Sequence, residues 1–202
     1  MPRSGQHTRQ RILDAAYGLF RRKGFTRVSM DDIATSTGVT KRTLYHHFES
    51  KDALLAAVLD AQHELALAAF KTFGDRMAGS PEQMVGAMFD DLAVWSDRPR
   101  WAGSGFTRLV VELADLPGHP ARLVARRHKA LLERHLADLL VRAGVTAPTE
   151  VAREIWLLSE GAITMMLVHG DRRYASAAGR AAAKLLRFSL PGRRAGAASP
   201  TG

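Results

Sequence analysis

The stretch 28–48, VSMDDIATSTGVTKRTLYHHF, constrains this chain more than any other, because it carries start and stop signals for two short helices in close succession. Ser29 can cap a first helix by accepting a backbone N–H bond. Asp31 and Asp32 then fall in its first turn, where negative charge suits the helix dipole. Gly38 tolerates the left-handed backbone that ends a helix, and Thr40 supplies a fresh cap two residues later. Val28, Ile33, Ala34, Val39, Leu44 and Phe48 can share one small core, which predicts a helix-turn-helix. Left to face outward on the second helix are Lys41, Arg42, Thr43, Tyr45, His46 and His47: donors, two fixed charges and no carboxylate. A recognition helix in the major groove needs this chemistry, since Arg and Lys reach guanine edges and Thr touches a thymine methyl.

Charge points the same way. The 202 residues carry a formal net charge of +9, which favours a polyanionic partner. Residues 1–53 hold ten Lys and Arg against five Asp and Glu, so the excess gathers around the proposed DNA module. With no cysteine there is neither a disulfide nor a thiolate metal site. The N-terminus leads into a charged helix rather than an apolar signal core, and no uninterrupted apolar run reaches membrane-spanning length. A cytoplasmic protein with no membrane partner is expected.

The chain also resembles a known family. The string 38–54, GVTKRTLYHHFESKDAL, with RILDAA at 11–16 and GFT at 24–26, is similar to the N-terminal signature of TetR-type transcriptional regulators, over about the first quarter of the chain. Arg42 departs from it, standing where many relatives carry glycine. The resemblance implies an all-α fold: an N-terminal three-helix helix-turn-helix domain joined by a long connector helix to a helical-bundle ligand and dimerisation domain. It also implies DNA contacts from Thr43, Tyr45, His47 and Lys51, with Tyr45 and His47 on phosphate. Chemistry adds Lys41 and Arg42 as base readers, and Ser29, Thr40 and His46 complete the expected contact set.

Periodicity lays out the rest. A first helix over 8–23 places Ile12, Leu13, Ala16, Leu19 and Phe20 inward, after an arm expected to be disordered. Ser50 caps the connector, whose inner stripe is Leu54, Leu55, Val58, Leu59 and Leu65 and whose end is near Phe73-Gly74. Helices follow from Met84 to Trp95, from Phe106 to Leu113 and over 121–142, the last with Leu123, Val124, Leu131, Leu132, Leu136, Leu139 and Leu140 inward. The helix over 149–169 has two apolar stripes, Val151, Ile155, Leu158, Ala162 and Met165 against Trp156, Ile163 and Leu167. Two stripes need burial on both sides. With Ala178, Ala182 and Leu185 of the final helix, the second stripe is expected to form a twofold four-helix interface. The domain expectation is 1–50 for DNA binding, 51–190 for the ligand and dimer body, and a disordered tail at 191–202.

Catalysis finds no support, since there is no Gly-rich phosphate loop, nucleophile elbow or His-Glu-x-x-His. His128 and His135 are two helical turns apart, so neither metal nor cofactor is expected. Bulky adaptable residues, Met84, Met88, Phe89, Trp95, Trp101, Phe106 and Met165, with His169 as a polar neighbour, are the expected lining of an effector pocket. His128 and Glu112 are further candidate polar anchors. The combined expectation is a homodimer that binds an approximately palindromic double-stranded operator and is released by a small apolar or amphipathic effector. The alternative is a constitutive or architectural DNA-binding protein without ligand control.

Overall fold

A computed structural model describes residues 2–76 and 79–190, and the side chains of 5–72 and 79–190. The expectation for the 191–202 tail lies outside the described residues. Those described form helices and no strand: α1 Pro2–Lys23, α2 Met30–Thr37, α3 Lys41–His47, α4 Lys51–Arg76, α5 Pro81–Ser96, α6 Gly105–Glu112, α7 Pro120–Arg142, α8 Pro148–His169 and α9 Arg173–Ser189. The all-α expectation holds, including three N-terminal helices. Helix α1 begins at Pro2, however, so the arm expected to be disordered before Thr8 is helical, and α4 continues past Gly74 to Arg76.

The local signals act as their chemistry requires. Ser29 and Asp32 form a reciprocal capping box on α2, with Ser29 N–H donating to Asp32 Oδ2 at 2.9 Å and Asp32 N–H to Ser29 Oγ at 3.1 Å. Gly38 ends α2 at φ +68°, and its N–H donates to Thr35 O. Thr40 Oγ1 then caps α3 by accepting from Thr43 N–H at 3.1 Å. A second capping box, Ser80 with Gln83, starts α5 with Pro81 in its first turn.

The chain divides into two compact units. The first takes 1–69 and 104–129; the second takes 70–103 and 130 onward. The first unit's core joins Ile12, Ala16 and Phe20 of α1, Phe25, Val28, Ile33, Leu44 and Phe48 of the helix-turn-helix, Leu54 to Leu59 of α4, Phe106 and Leu109 of α6, and Ala121, Val124 and Ala125 of α7. Each large aliphatic chain buried there contributes roughly 1.5–3 kcal/mol. Polar links add direction: Asp60 of α4 pairs with Arg127, and His119 Nε2 meets Asp52 at 3.3 Å while its Nδ1 accepts from Ala121 N–H. The second unit's core packs Met84, Val85 and Phe89 of α5, Leu136 and Leu140 of α7, Val151, Ile155 and Ala162 of α8, and Ala178, Ala182 and Leu186 of α9.

Several inward assignments change. Leu65 shares a helical face with Leu54 but is exposed, because the buried face of α4 in the first unit ends at His63. Leu123 is exposed too: the inner face of α7 there is Ala121, Val124, Ala125 and His128, and Leu123 lies about 200° round from Ala121. On α8 the buried stripe ends at Met166, leaving Met165 outside. Averaged over its length, Lys51–Thr72 of α4 is long and apolar enough to cross a membrane, although Asp60, His63 and Glu64 interrupt its apolar run. Its N-terminal half packs in the first unit, with Leu54, Leu55, Val58 and Leu59 in the core, Asp60 ion-paired and His63 buried.

Candidate nucleic-acid interface

The core-facing residues of α3 fix what it shows to solvent. Leu44 is fully buried, so Lys41, Arg42, Tyr45 and His46 are exposed and Thr43 and His47 half-exposed. Tyr45 keeps 44% of its surface open to solvent. His47 sits between the rings of His46 and Phe48, at 5.5 and 6.5 Å. Ser29 and Thr40 are exposed, yet their hydroxyls are engaged in capping. Lys51 opens α4 and is half-buried; its Nζ donates to Thr26 O at 2.8 Å, and burial lowers its pKa.

Residues not singled out for this surface shape it. Asp31 of α2 pairs with Lys41 at 2.8 Å, and that hydrogen bond holds the Lys41 ammonium pKa above its ordinary value. The Asp32 carboxyl is brought down to about 2 by hydrogen bonds from Ser29, then by Lys23 at 3.2 Å. Arg11 of α1 donates to Thr37 O at 2.7 Å, satisfying the C-terminal end of α2, and the Arg9 guanidinium lies 5.0 Å over the Phe48 ring. These two α1 cations thus brace the module. Their spacing gave no signal for this, because the partners lie 26 and 39 residues away.

The residues expected to line an effector pocket have different surroundings. Met84, Met88 and Phe89 belong to the second unit's core, and Trp95 and Trp101 meet edge to face at 5.3 Å. The Trp101 indole N–H is buried without a hydrogen-bond partner among the described residues. Phe106 belongs to the first unit, stacked at 3.7 Å on His128, whose Nδ1 is 2.9 Å from His63 Nδ1. Met165 is exposed, and His169 is exposed and stacked on Tyr174 at 5.2 Å. Glu112, considered as a polar anchor, instead accepts backbone N–H bonds from Phe25 and Thr26.

The expected interface residues divide as well. Ala182 is fully buried in its own unit and Ala178 nearly so, which removes Ala182 from any contact with a partner. A Cβ on Gly103 would meet Leu167 Cδ2 at 3.4 Å and Ile163 Cγ2 at 3.6 Å, so these side chains border the Gly103 turn, but Leu167 keeps 46% of its surface; Trp156 packs on the same unit's core. Leu157, Gly161 and Met165 make a further open side of α8. With Ala177, Ala181 and Leu185 of α9 it lines a groove of about 690 Å³.

An exposed cationic helix after a tight turn, carried by an otherwise helical chain, defines a helix-turn-helix module. The family profile for bacterial regulatory proteins of the tetR family matches residues 12–58. Over 71 residues the chain is 45% identical to the HTH-type transcriptional regulator UidR of Escherichia coli K12, spanning 35% of this chain and 36% of UidR. It is 42% identical over 59 residues to the regulator TtgR of Pseudomonas putida, covering 29% and 28% of the two chains. These relatives are thus matched over about a third of their length. Among solved structures, SCO4454, a TetR-family regulator from Streptomyces coelicolor, superposes with a TM-score of 0.82 at 24% identity, covering 91% of this chain and 96% of that one. The sav143 structure from Streptomyces avermitilis gives 0.73 at 29% identity, covering 87% and 97%. Residues 12–58 thus match the tetR-family profile, and the chain as a whole has the fold of TetR-family structures.

Proposed function

We propose that the protein is a dimeric, ligand-responsive repressor that binds an approximately palindromic operator and leaves it when a small apolar or amphipathic effector binds. The observation that carries the reading is the exposed face of α3, where Lys41, Arg42, Tyr45 and His46 all meet solvent. Arg42 and Lys41 read base edges; Thr43, Tyr45, His47 and Lys51 grip the backbone and set the register. Helix α3, Lys41–His47, is only about 10 Å long, so one copy reads few base pairs. A twofold dimer doubles the readout and calls for two half-sites about 34 Å apart or a multiple of it.

The groove between α8 and α9 supports the dimer, because Leu157, Gly161, Met165, Ala181 and Leu185 offer apolar surface with small residues that allow close helix approach. Bulky side chains of the second unit, including the Trp95–Trp101 pair, support an effector of apolar character. That effector acts by favouring a dimer whose recognition helices no longer match the half-site spacing, and its leverage equals its differential affinity for the two arrangements. Such a protein works in the cytoplasm, where the chromosome is.

The test is selection of duplexes from a random-sequence pool at near-physiological salt, followed by sedimentation of the protein alone and on the selected duplex. An inverted repeat bound by two chains is the expected result. Equal affinity for selected and random duplexes would instead favour an architectural DNA-binding protein.

A further inference from the structure

We propose that Glu112, far in sequence from the helix-turn-helix, is a positioning residue for DNA recognition: it fixes the turn from which α2 is launched. Glu112 is the last residue of α6, and its Oε2 accepts from Phe25 N–H at 2.7 Å, Thr26 N–H at 3.2 Å and Thr26 Oγ1 at 3.4 Å. Two successive amides converging on one carboxylate oxygen form a nest, in which their dipoles favour negative charge. One turn earlier on the same face of α6, Arg108 donates to Arg21 O at 3.4 Å, in the last turn of α1. The charges are complementary: the guanidinium meets the negative end of α1 and the carboxylate meets the amides that follow it.

The backbone is shaped for this grip. Gly24 N–H closes α1 on Phe20 O at 2.9 Å, and Gly24 then turns the chain at φ +91°. A Cβ there would lie 3.3 Å from Glu112 Oε2, so a side chain at 24 would crowd the carboxylate as well as strain the backbone. Downstream, Phe25 and Val28 are buried and Ser29 caps α2, leaving the 24–26 peptides as the part of the connection that apolar anchors do not fully fix. Thr26 is held from both sides, its N–H by Glu112 of α6 and its C=O by Lys51 of α4 at 2.8 Å. Loss of the carboxylate therefore frees the direction of α2, and with it the angle at which α3 meets a groove, without removing any DNA-facing group.

The inference rests on the DNA-binding reading above, and its test separates the two. Duplexes selected by the unaltered chain are compared with a random 30-base-pair duplex, for the wild type and for Glu112→Ala, Glu112→Met and Glu112→Gln. Alanine and methionine, which lack an acceptor, are expected to lower the selected-to-random affinity ratio by about tenfold, the scale of one hydrogen bond to a charged group. Random-duplex affinity stays within about twofold, since no phosphate contact is lost. Glutamine, which keeps an acceptor oxygen, retains the ratio within about threefold. Amide exchange at Phe25 and Thr26 reads the latch without DNA and is expected to speed up about tenfold in the alanine variant. A ratio unchanged in both acceptor-free variants, equal loss on both duplexes, unchanged amide exchange, or failure of both variants to fold would each overturn the proposal. If the wild type selects no sequence, the DNA-binding reading fails, while the exchange result still tests the latch.

Discussion

Acid should loosen this protein through one imidazole in the first unit. His128 is 4% exposed, stacks on Phe106 at 3.7 Å and faces His63, itself buried, across 2.9 Å between Nδ1 atoms. One of the two rings donates and the other accepts, an arrangement that a second proton destroys. Burial first, then the charge of Lys129 and the neighbouring His63, brings the His128 pKa down from 6.5 to about 3. Because the folded value is depressed, the unfolded chain holds the extra proton between about pH 3 and 6.5, and stability falls as pH falls through that window. The limiting slope is about 1.4 kcal/mol per pH unit; integrated from pH 8 to pH 5, the loss is about 2 kcal/mol. The Asp32 carboxyl, lowered from 3.8 to about 2, changes stability only below about pH 4, outside the range from pH 8 to pH 5. Urea unfolding at pH 8, 7, 6 and 5, at one protein concentration, should give curves for the wild type and His128→Gln that converge by about 2 kcal/mol towards pH 5. Parallel curves would refute the reasoning.

Gly38→Ala should cost about 1–2 kcal/mol, from backbone strain alone, since φ is +68° and nothing lies within 4 Å of a Cβ there; a urea midpoint against Gly38→Asn, expected to lose less, checks it. Lys51→Ala should weaken binding to random duplex and reduce the salt slope by about 1, with a further loss on the selected duplex because Lys51 also holds Thr26 C=O, whereas Arg42→Ala should relax preference at particular base pairs without loss on random duplex beyond one contact; fluorescence anisotropy over a salt series separates the two outcomes. Leu157→Arg, on the open side of α8, should shift sedimentation towards monomer and cost more than tenfold in affinity for a palindromic duplex while leaving the helical content intact. Ser80→Ala should remove the α5 cap at a cost of about 1 kcal/mol in thermal stability.

Much of this protein is written in short-range chemistry. Ser29, Gly38 and Thr40 determine where α2 stops and α3 starts, because a cap or a left-handed residue acts on backbone groups within one turn, and Leu44 determines which side of α3 turns inward. That is why the cationic surface could be read from the residue order. Tertiary structure decided whatever depends on partners distant along the chain. Arg9 and Arg11 were legible as cations but not as braces for Phe48 and Thr37, and Glu112 gave no sign that its acceptor would sit under Phe25 and Thr26. On α8, hydrophobicity marked two stripes without saying which one fills its own unit's core, and packing chose Val151, Ile155 and Ala162 for that role. The physical reason is range: periodicity assigns a residue to a face, but what that face meets depends on helices brought together only when the chain folds.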